Sequence, residues 1–352
     1  MKMLFAILLL FPSILNGQTF KQTKYGTTPE NIINYSDVDL WLPDTIYITN
    51  GTTITLYNDN VAYINVQKKG RLHYDWTCAI GYQTDSCYVL TSVVDGNYTI
   101  KCYAKTPLNT IVDSCSSVIK IEPKIAIGNK NILAIGNSLT AQGWIYMNPV
   151  IDDTLNITLT SLGTKGSNPN KHEGIAGYTY ALFLSSSSPF WIGGSFHIDT
   201  YITTLLSGVQ PDIIRISLGI NECAGLIPVA TTINNTTTFI DYILSQTTAK
   251  IIIEMPTTCE NTSAGWLANY GSTTNYEPYI LLIRELNKQI WNKFKFGQYN
   301  ARVDVGYGTL TIDRDNGYPK TLGVHNNGVH PNQTGYQELI KGTLNTINHI
   351  YQ

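Results

Sequence analysis

Five short runs from Asn131 onward are rich in Ile, Leu and Val: NILAIGNS from Asn131, NITLTSLGT from Asn156, PDIIRISLGIN from Pro211, AKIIIEMPT from Ala249 and the weaker ARVDVGYG from Ala301. Runs of this length with few polar interruptions predict strands buried on both faces. Amphipathic stretches fall between or after them: IDTYITTLLSG, TTTFIDYILSQ, YILLIRELNKQIWNKF and the terminal NQTGYQELIKGTLNTINHIY. Strands that alternate with helices predict a parallel sheet covered on both sides, a three-layer α/β/α sandwich over 124–352. In such sheets ligands bind beyond the C-terminal ends of the strands, so candidate chemistry is sought there.

The first part of the chain has a different rhythm. DTIYITNGTTITLYND alternates apolar and polar positions around Asn50-Gly51, a hairpin signal. RLHYDWTCAI and CYVLTSVV flank a turn near Gly81, DGNYTIKCYAK follows a turn at Asp95-Gly96, and TIVDSCSSVIKIEP closes the set. Short strands at this spacing predict a small all-β sandwich over 18–123. It resembles immunoglobulin-like modules, with Trp76 as the core tryptophan. IEPKIAIGNKN reads as the linker between the two parts.

The N-terminus, MKMLFAILLLFPSILNGQTF, carries Lys2 and then an uncharged apolar run. It reads as a signal peptide over 1–17, which predicts a secreted protein, extracellular or periplasmic. No later run is long and apolar enough to span a membrane. Charged residues make up 14% of the chain and the net charge is -2, which argues against nucleic acid as a partner. The six cysteines behind a leader predict disulfides, Cys78 with Cys87 and Cys102 with Cys115 as hairpin neighbours, and Cys223 with Cys259 beyond strands three and four. None forms a CxxC and no His stands at zinc-finger spacing, so neither a metal nor a cofactor is expected.

The strand ends hold the candidate chemistry. The first predicted strand ends in Gly136-Asn137-Ser138-Leu139. The third ends in Gly219-Ile220-Asn221-Glu222. GVHPN, with His330, precedes the last helix. A serine hydroxyl is a weak nucleophile until a base takes its proton, and His330 is the candidate base. Acyl transfer also needs donors aimed at a developing oxyanion. The candidates are the backbone N–H groups of Ser138 and Gly177 and the side-chain amide of Asn221, with glycine suiting a position that an ester approaches closely. Ser138 taken alone reads equally well as a helix cap. GTKGS lacks the Gly-Lys-Thr ending of a phosphate-binding loop. Phe190, Trp191, Trp266 and Tyr270 lie in loops above the same edge, where they suit either stacking on sugars or loop packing.

Four of these segments, in order, resemble the blocks of the SGNH, or GDSL-type, esterase and lipase superfamily: GNSL, EGIAGYT, GINE and GVHPN followed by Gly-Tyr. The resemblance covers about residues 130–350. It implies a flavodoxin-like fold and a secreted serine esterase with Ser138 as nucleophile, His330 as base and Gly177 and Asn221 as oxyanion donors. By analogy with the family, small acyl groups such as acetyl on a carbohydrate are the expected substrates, with lipid or aryl esters as the enzymatic alternative. A glycan-binding or adhesive protein with a weakened site is the reading from another class, and a glycan contact by the front module stays open. SSPFWIGGSFHIDTY resembles, more loosely, a stretch of carbohydrate-active members.

One position departs from the family. The aspartate that usually stands three residues before the histidine is Asn327 here. Asparagine can accept the imidazole N–H but cannot supply negative charge to the imidazolium. Three explanations stand: a Ser-His dyad oriented by Asn327 or a backbone carbonyl, another acid such as Glu173 or Asp199, or weakened catalysis. Glu222, in place of the family's aspartate, is expected to orient loops around the site. If the dyad is right, Asn327→Asp raises the rate of ester hydrolysis over the unmodified chain, as measured with p-nitrophenyl acetate.

Overall fold

The computed structural model describes residues 38–63, 72–91, 94–155, 157–259, 277–299, 301–316, 318–319 and 328–352. The expected leader over 1–17 lies outside them. The five apolar runs form one parallel sheet: β1 (Asn129–Gly136), β2 (Thr158–Leu162), β3 (Ile213–Ser217), β4 (Lys250–Glu254) and β5 (Val303–Gly306). The order is β2-β1-β3-β4-β5, the flavodoxin-like arrangement. Ile132 to Ile135 are fully buried, as are Ile213, Ile214, Ile216 and Ile251 to Ile253. This is why the strands lack polar alternation.

From β1 onward the helices among the described residues are α1 (Ser138–Leu155), α2 (Tyr180–Phe183), α3 (Ile198–Leu205), α4 (Ile220–Ala224), α5 (Val229–Gln246), α6 (Glu277–Phe294) and α7 (Gln333–Ile350). The sheet order turns back at β1. Right-handed crossovers therefore put α1 on one face and α5 and α6 on the other. Helix α7 follows β5 and packs against α1, while α5 packs against α6. The switch in direction at β1 leaves a crevice beyond its C-terminal end. Among the described residues, no helix is long and apolar enough to cross a membrane.

Ahead of β1 lie a two-stranded pair, Asp39–Leu40 with Ala62–Tyr63, and two larger sheets. One orders Thr45–Thr49, Ile111–Glu122, Gly96–Lys105 and His73–Thr77. The other orders Thr53–Tyr57, Cys87–Thr91 and Tyr82–Gln83. The Asn50-Gly51 turn does not make the predicted hairpin. Thr45–Thr49 runs parallel to Val118–Glu122, whereas Thr53–Tyr57 pairs with Cys87–Thr91, so the turn carries the chain from one sheet to the other. The Asn50 N–H bonds the Glu122 carbonyl, at the end of that parallel partner, rather than the Thr53–Tyr57 strand. Ile46, Ile48, Ile54 and Leu56 are all fully buried, and that burial decides the pairing. Trp76 is buried, lies 5.9 Å from the Tyr88 ring and donates its Nε1–H to Asn58 Oδ1 at 2.8 Å.

Among the described residues the predicted disulfides are not formed. Cys78 and Cys87 are not hairpin neighbours, because the strand before Cys78 and the strand that begins at Cys87 belong to different sheets. The Cys87 sulfur lies 3.0 Å from the Thr84 hydroxyl. Cys102 and Cys115 do face each other across paired strands, without an S–S bond. Cys223 and Cys259 are buried.

Residues 35–352 form one compact unit. Polar side chains of the second half reach into the first. Arg284 donates to the Val61 carbonyl at 3.0 Å and pairs with Asp39 at 3.2 Å. Asn345 Oδ1 accepts the Thr49 N–H at 2.8 Å. Tyr307 donates to the Tyr47 carbonyl at 2.6 Å. His349 stacks on Tyr47 and bonds Glu122 at 2.9 Å.

Inside the parallel sheet, Arg215 of β3 and Glu254 of β4 form a buried pair at 3.1 Å. The Thr343 hydroxyl of α7 donates to Glu254, and the Arg215 guanidinium lies over the Trp144 ring of α1. Removing one member strands the other charge away from water. Glu254→Ala is therefore expected to cost about 3–5 kcal/mol of stability, as measured by urea unfolding.

Candidate active site

Strand β1 is central and ends where the sheet order reverses. Its last residue, Gly136, pairs with Ser217 of β3 on one side and Gly174 on the other. Asn137 is fully buried, and its Oδ1 accepts the Leu139 N–H at 2.9 Å. That bond caps α1 at its first turn and fixes the strand-to-helix corner on which Ser138 stands. Asn137, not Ser138, supplies the cap. The hydroxyl of Ser138 is left to another partner, the Nε2 of His330 at 2.7 Å. The two residues lie 192 positions apart in sequence.

His330 is buried and stands just ahead of α7, whose N-cap is Asn332. The Asn332 side chain accepts the Gly335 N–H at 2.9 Å and donates to the Asn316 carbonyl at 2.8 Å. These bonds fix the corner that carries the imidazole. Asn327 lies outside the described residues, as do His325, Trp266 and Tyr270.

Neither alternative acid reaches the imidazole. Glu173 is fully buried, and one of its oxygens accepts the Tyr201 hydroxyl at 2.6 Å and the Thr164 N–H. Its other oxygen has no hydrogen-bond partner. Glu173 thus secures the strand that leads to Gly174. Asp199 is exposed in the first turn of α3, where its carboxylate lies 3.5 Å from the His197 ring. His172 is also buried, and its Nδ1 accepts the Gly174 N–H at 3.0 Å. Burial holds the His172 imidazole below the usual histidine range. It is a structural residue of the same loop rather than a second base.

The segment Gly174 to Thr179 passes close to the N-terminus of α1. A Cβ at Gly174 would lie 2.4 Å from the Ala141 nitrogen, so this approach requires glycine. Ile175 then donates to the Gly136 carbonyl at 2.9 Å, continuing the register with β1. Gly177 is exposed, with φ +78°. Nothing lies within 4 Å of where its Cβ would sit, so the requirement for glycine there is conformational, not one of space within the chain.

At the end of β3, α4 presents Asn221 and Glu222 to this segment. Asn221 Nδ2 donates to the Tyr178 carbonyl at 2.9 Å, the residue directly after Gly177. Ser138, His330, Gly177 and Asn221 are thus all carried by connections around the C-terminal end of β1. A hydroxyl bonded to an imidazole can perform nucleophilic acyl transfer where donors meet the developing oxyanion. Among the described residues, no three His, Cys, Asp or Glu side chains gather as metal ligands.

The loop aromatics divide. Phe190 is fully buried against Tyr201, Phe183, Phe196 and Phe239, so it packs the loop and cannot stack on a ligand. Trp191 is half-buried. Sequence reasoning missed the cap made by Asn137. The preference of asparagine for N-caps was the available signal.

The chain matches no protein-family model and no curated protein. Solved structures similar to it include a carbohydrate esterase family 3 protein from Talaromyces cellulolyticus, at 15% identity over 63% of this chain and 98% of that one, TM-score 0.42. Another is an acetyl esterase mutant with an acetate ion, at 13% identity over 63% and 100%, TM-score 0.41. A third is a member of the lipolytic G-D-S-L family from Veillonella parvula, at 14% identity over 61% and 96%, TM-score 0.38. Superpositions this loose bear no functional conclusion, which rests instead on the geometry above.

Because Asn137 caps α1, Asn137→Ala is expected to lower stability by about 1 kcal/mol, as measured by urea unfolding.

Proposed function

We propose that the protein is a serine esterase that hydrolyses carboxylic esters. The observation that carries this reading is the 2.7 Å hydrogen bond between Ser138 Oγ and His330 Nε2. The hydroxyl oxygen adds to the ester carbonyl as its proton passes to His330 Nε2. The negative oxygen so formed is met by the N–H groups of Ser138 and Gly177 and by the amide of Asn221. Collapse of this intermediate expels the alcohol, which takes the proton from His330. Water then repeats the sequence on the acyl-enzyme and releases the acid.

Acetyl groups on carbohydrate are the preferred substrate class. The leader-like N-terminus, which points to secretion, supports this, as does the likeness of SSPFWIGGSFHIDTY to carbohydrate-active esterases. The four ordered sequence blocks support the same reading of the site, with Asn327 in the place of the usual acid.

Turnover of p-nitrophenyl acetate that disappears in Ser138→Ala is the expected result. Asn221→Ala is expected to lose about 100- to 1,000-fold in kcat. A wild-type chain as inert as Ser138→Ala overturns the esterase reading and leaves the glycan-binding one in its place.

A further inference from the structure

We infer that Glu222 is a positioning residue that holds the oxyanion donors in register, by tying the segment that bears Gly177 to the start of the helix that bears Asn221. The inference rests on the esterase reading and goes beyond it, because Glu222 itself touches neither the nucleophile nor the base in that mechanism.

Glu222 is 2% exposed. Its two carboxylate oxygens divide their work between two stretches of backbone. Oε1 accepts the Tyr180 N–H at 2.6 Å, and Oε2 accepts the Gly219 N–H at 3.0 Å. Tyr180 is the first residue of α2, three positions beyond Gly177. Gly219 is the N-cap of α4 and lies two positions before Asn221. The carboxylate therefore bridges the two connections that carry the non-serine donors. Asn221 makes the neighbouring tie, to the Tyr178 carbonyl at 2.9 Å. Adjacent side chains of α4 thus grip the same segment, one through a carbonyl and the other through an N–H.

Gly177 has no side chain to anchor it, is exposed, and adopts a conformation that its neighbours must impose. Without the bridge, the Asn221–Tyr178 bond is left to hold this segment against α4. An oxyanion donor must be aimed before charge develops, since its value lies in needing no reorganisation during the reaction. A buried carboxylate is an expensive way to join two loops. Burial pushes the Glu222 carboxyl above the ordinary carboxylate range, and the backbone N–H groups of Tyr180, Gly219 and Glu222 itself act against that rise. No Lys, Arg or His pairs with it among the described salt bridges. Both of its bonds go to backbone, which suits holding main chain in place rather than neutralising a charge.

Glutamate also suits the span. Aspartate is shorter by one methylene and cannot keep both bonds without drawing the loops together. Glutamine keeps the length but sets an amide NH2 against one of the two N–H groups.

The test compares Glu222→Asp and Glu222→Gln with the wild type on p-nitrophenyl acetate. Active sites are first counted by stoichiometric labelling of Ser138 with a fluorophosphonate, so that partly folded preparations are scored only for their competent sites. The expected result is a kcat per labelled site lowered by about 10- to 100-fold, with KM changed by less than about threefold, the signature of an interaction realised in the transition state. Unchanged kcat per labelled site in either variant, with only a lower Tm, overturns the inference and makes Glu222 purely structural. A wild-type chain that shows no Ser138-dependent turnover defeats the underlying esterase reading instead, so the two failures are told apart.

Discussion

The hydrogen bond between Ser138 and His330 is the contact around which the arrangement is organised, and nothing local in the chain can make it. The hydroxyl stands at the end of the central strand and the imidazole just before the last helix. They meet because five parallel strands end at the same edge and because α7 returns to pack on α1. The buried β1 residues fix where Ser138 emerges. The α1–α7 contact fixes where His330 arrives. A loss of register in either element separates base from nucleophile without changing either residue.

Buried polar groups fix the loops at that edge. Asn137 holds the corner after β1, Glu173 secures the strand before Gly174, and Glu222 with Asn221 grips the segment after Gly177. Each bonds mainly to backbone N–H or C=O. Loops cannot be aligned by apolar packing alone, because their main-chain groups need partners once they are covered. The same logic applies where the front sheets meet the second half. There, Arg284 donates to the Val61 carbonyl, Tyr307 donates to the Tyr47 carbonyl and Asn345 accepts the Thr49 N–H.

The parallel sheet was legible because its strands are buried on both faces, and such burial leaves uninterrupted Ile and Leu runs. Ser138 and His330 could be singled out because one follows the first of those runs and the other precedes the last helix, and the structure brings their side chains within 2.7 Å. Gly177 and Asn221 belong to the proposed mechanism. The front sheets were harder to read. Alternation identified Thr45–Thr49 and Thr53–Tyr57 as strands, but alternation does not say which neighbour each will pair with. The Asn50-Gly51 turn is compatible with a hairpin and with a crossing between sheets, and long-range burial of Ile46 and Ile54 chose the crossing. The Cys78–Cys87 expectation failed with that hairpin logic. Glu173 and Asp199 as alternative acids could not be judged from sequence position, because a carboxylate's partners are set by tertiary contacts, Tyr201 for one and His197 for the other.

The most direct measurement is the rate at which a fluorophosphonate labels Ser138, mapped by peptide mass spectrometry in the wild type and in His330→Ala. A hydroxyl activated by its imidazole partner is labelled at Ser138 and at no other serine, and the rate falls by about 100-fold or more when that partner is removed. Labelling that is absent from Ser138, or equally fast without His330, would contradict the account.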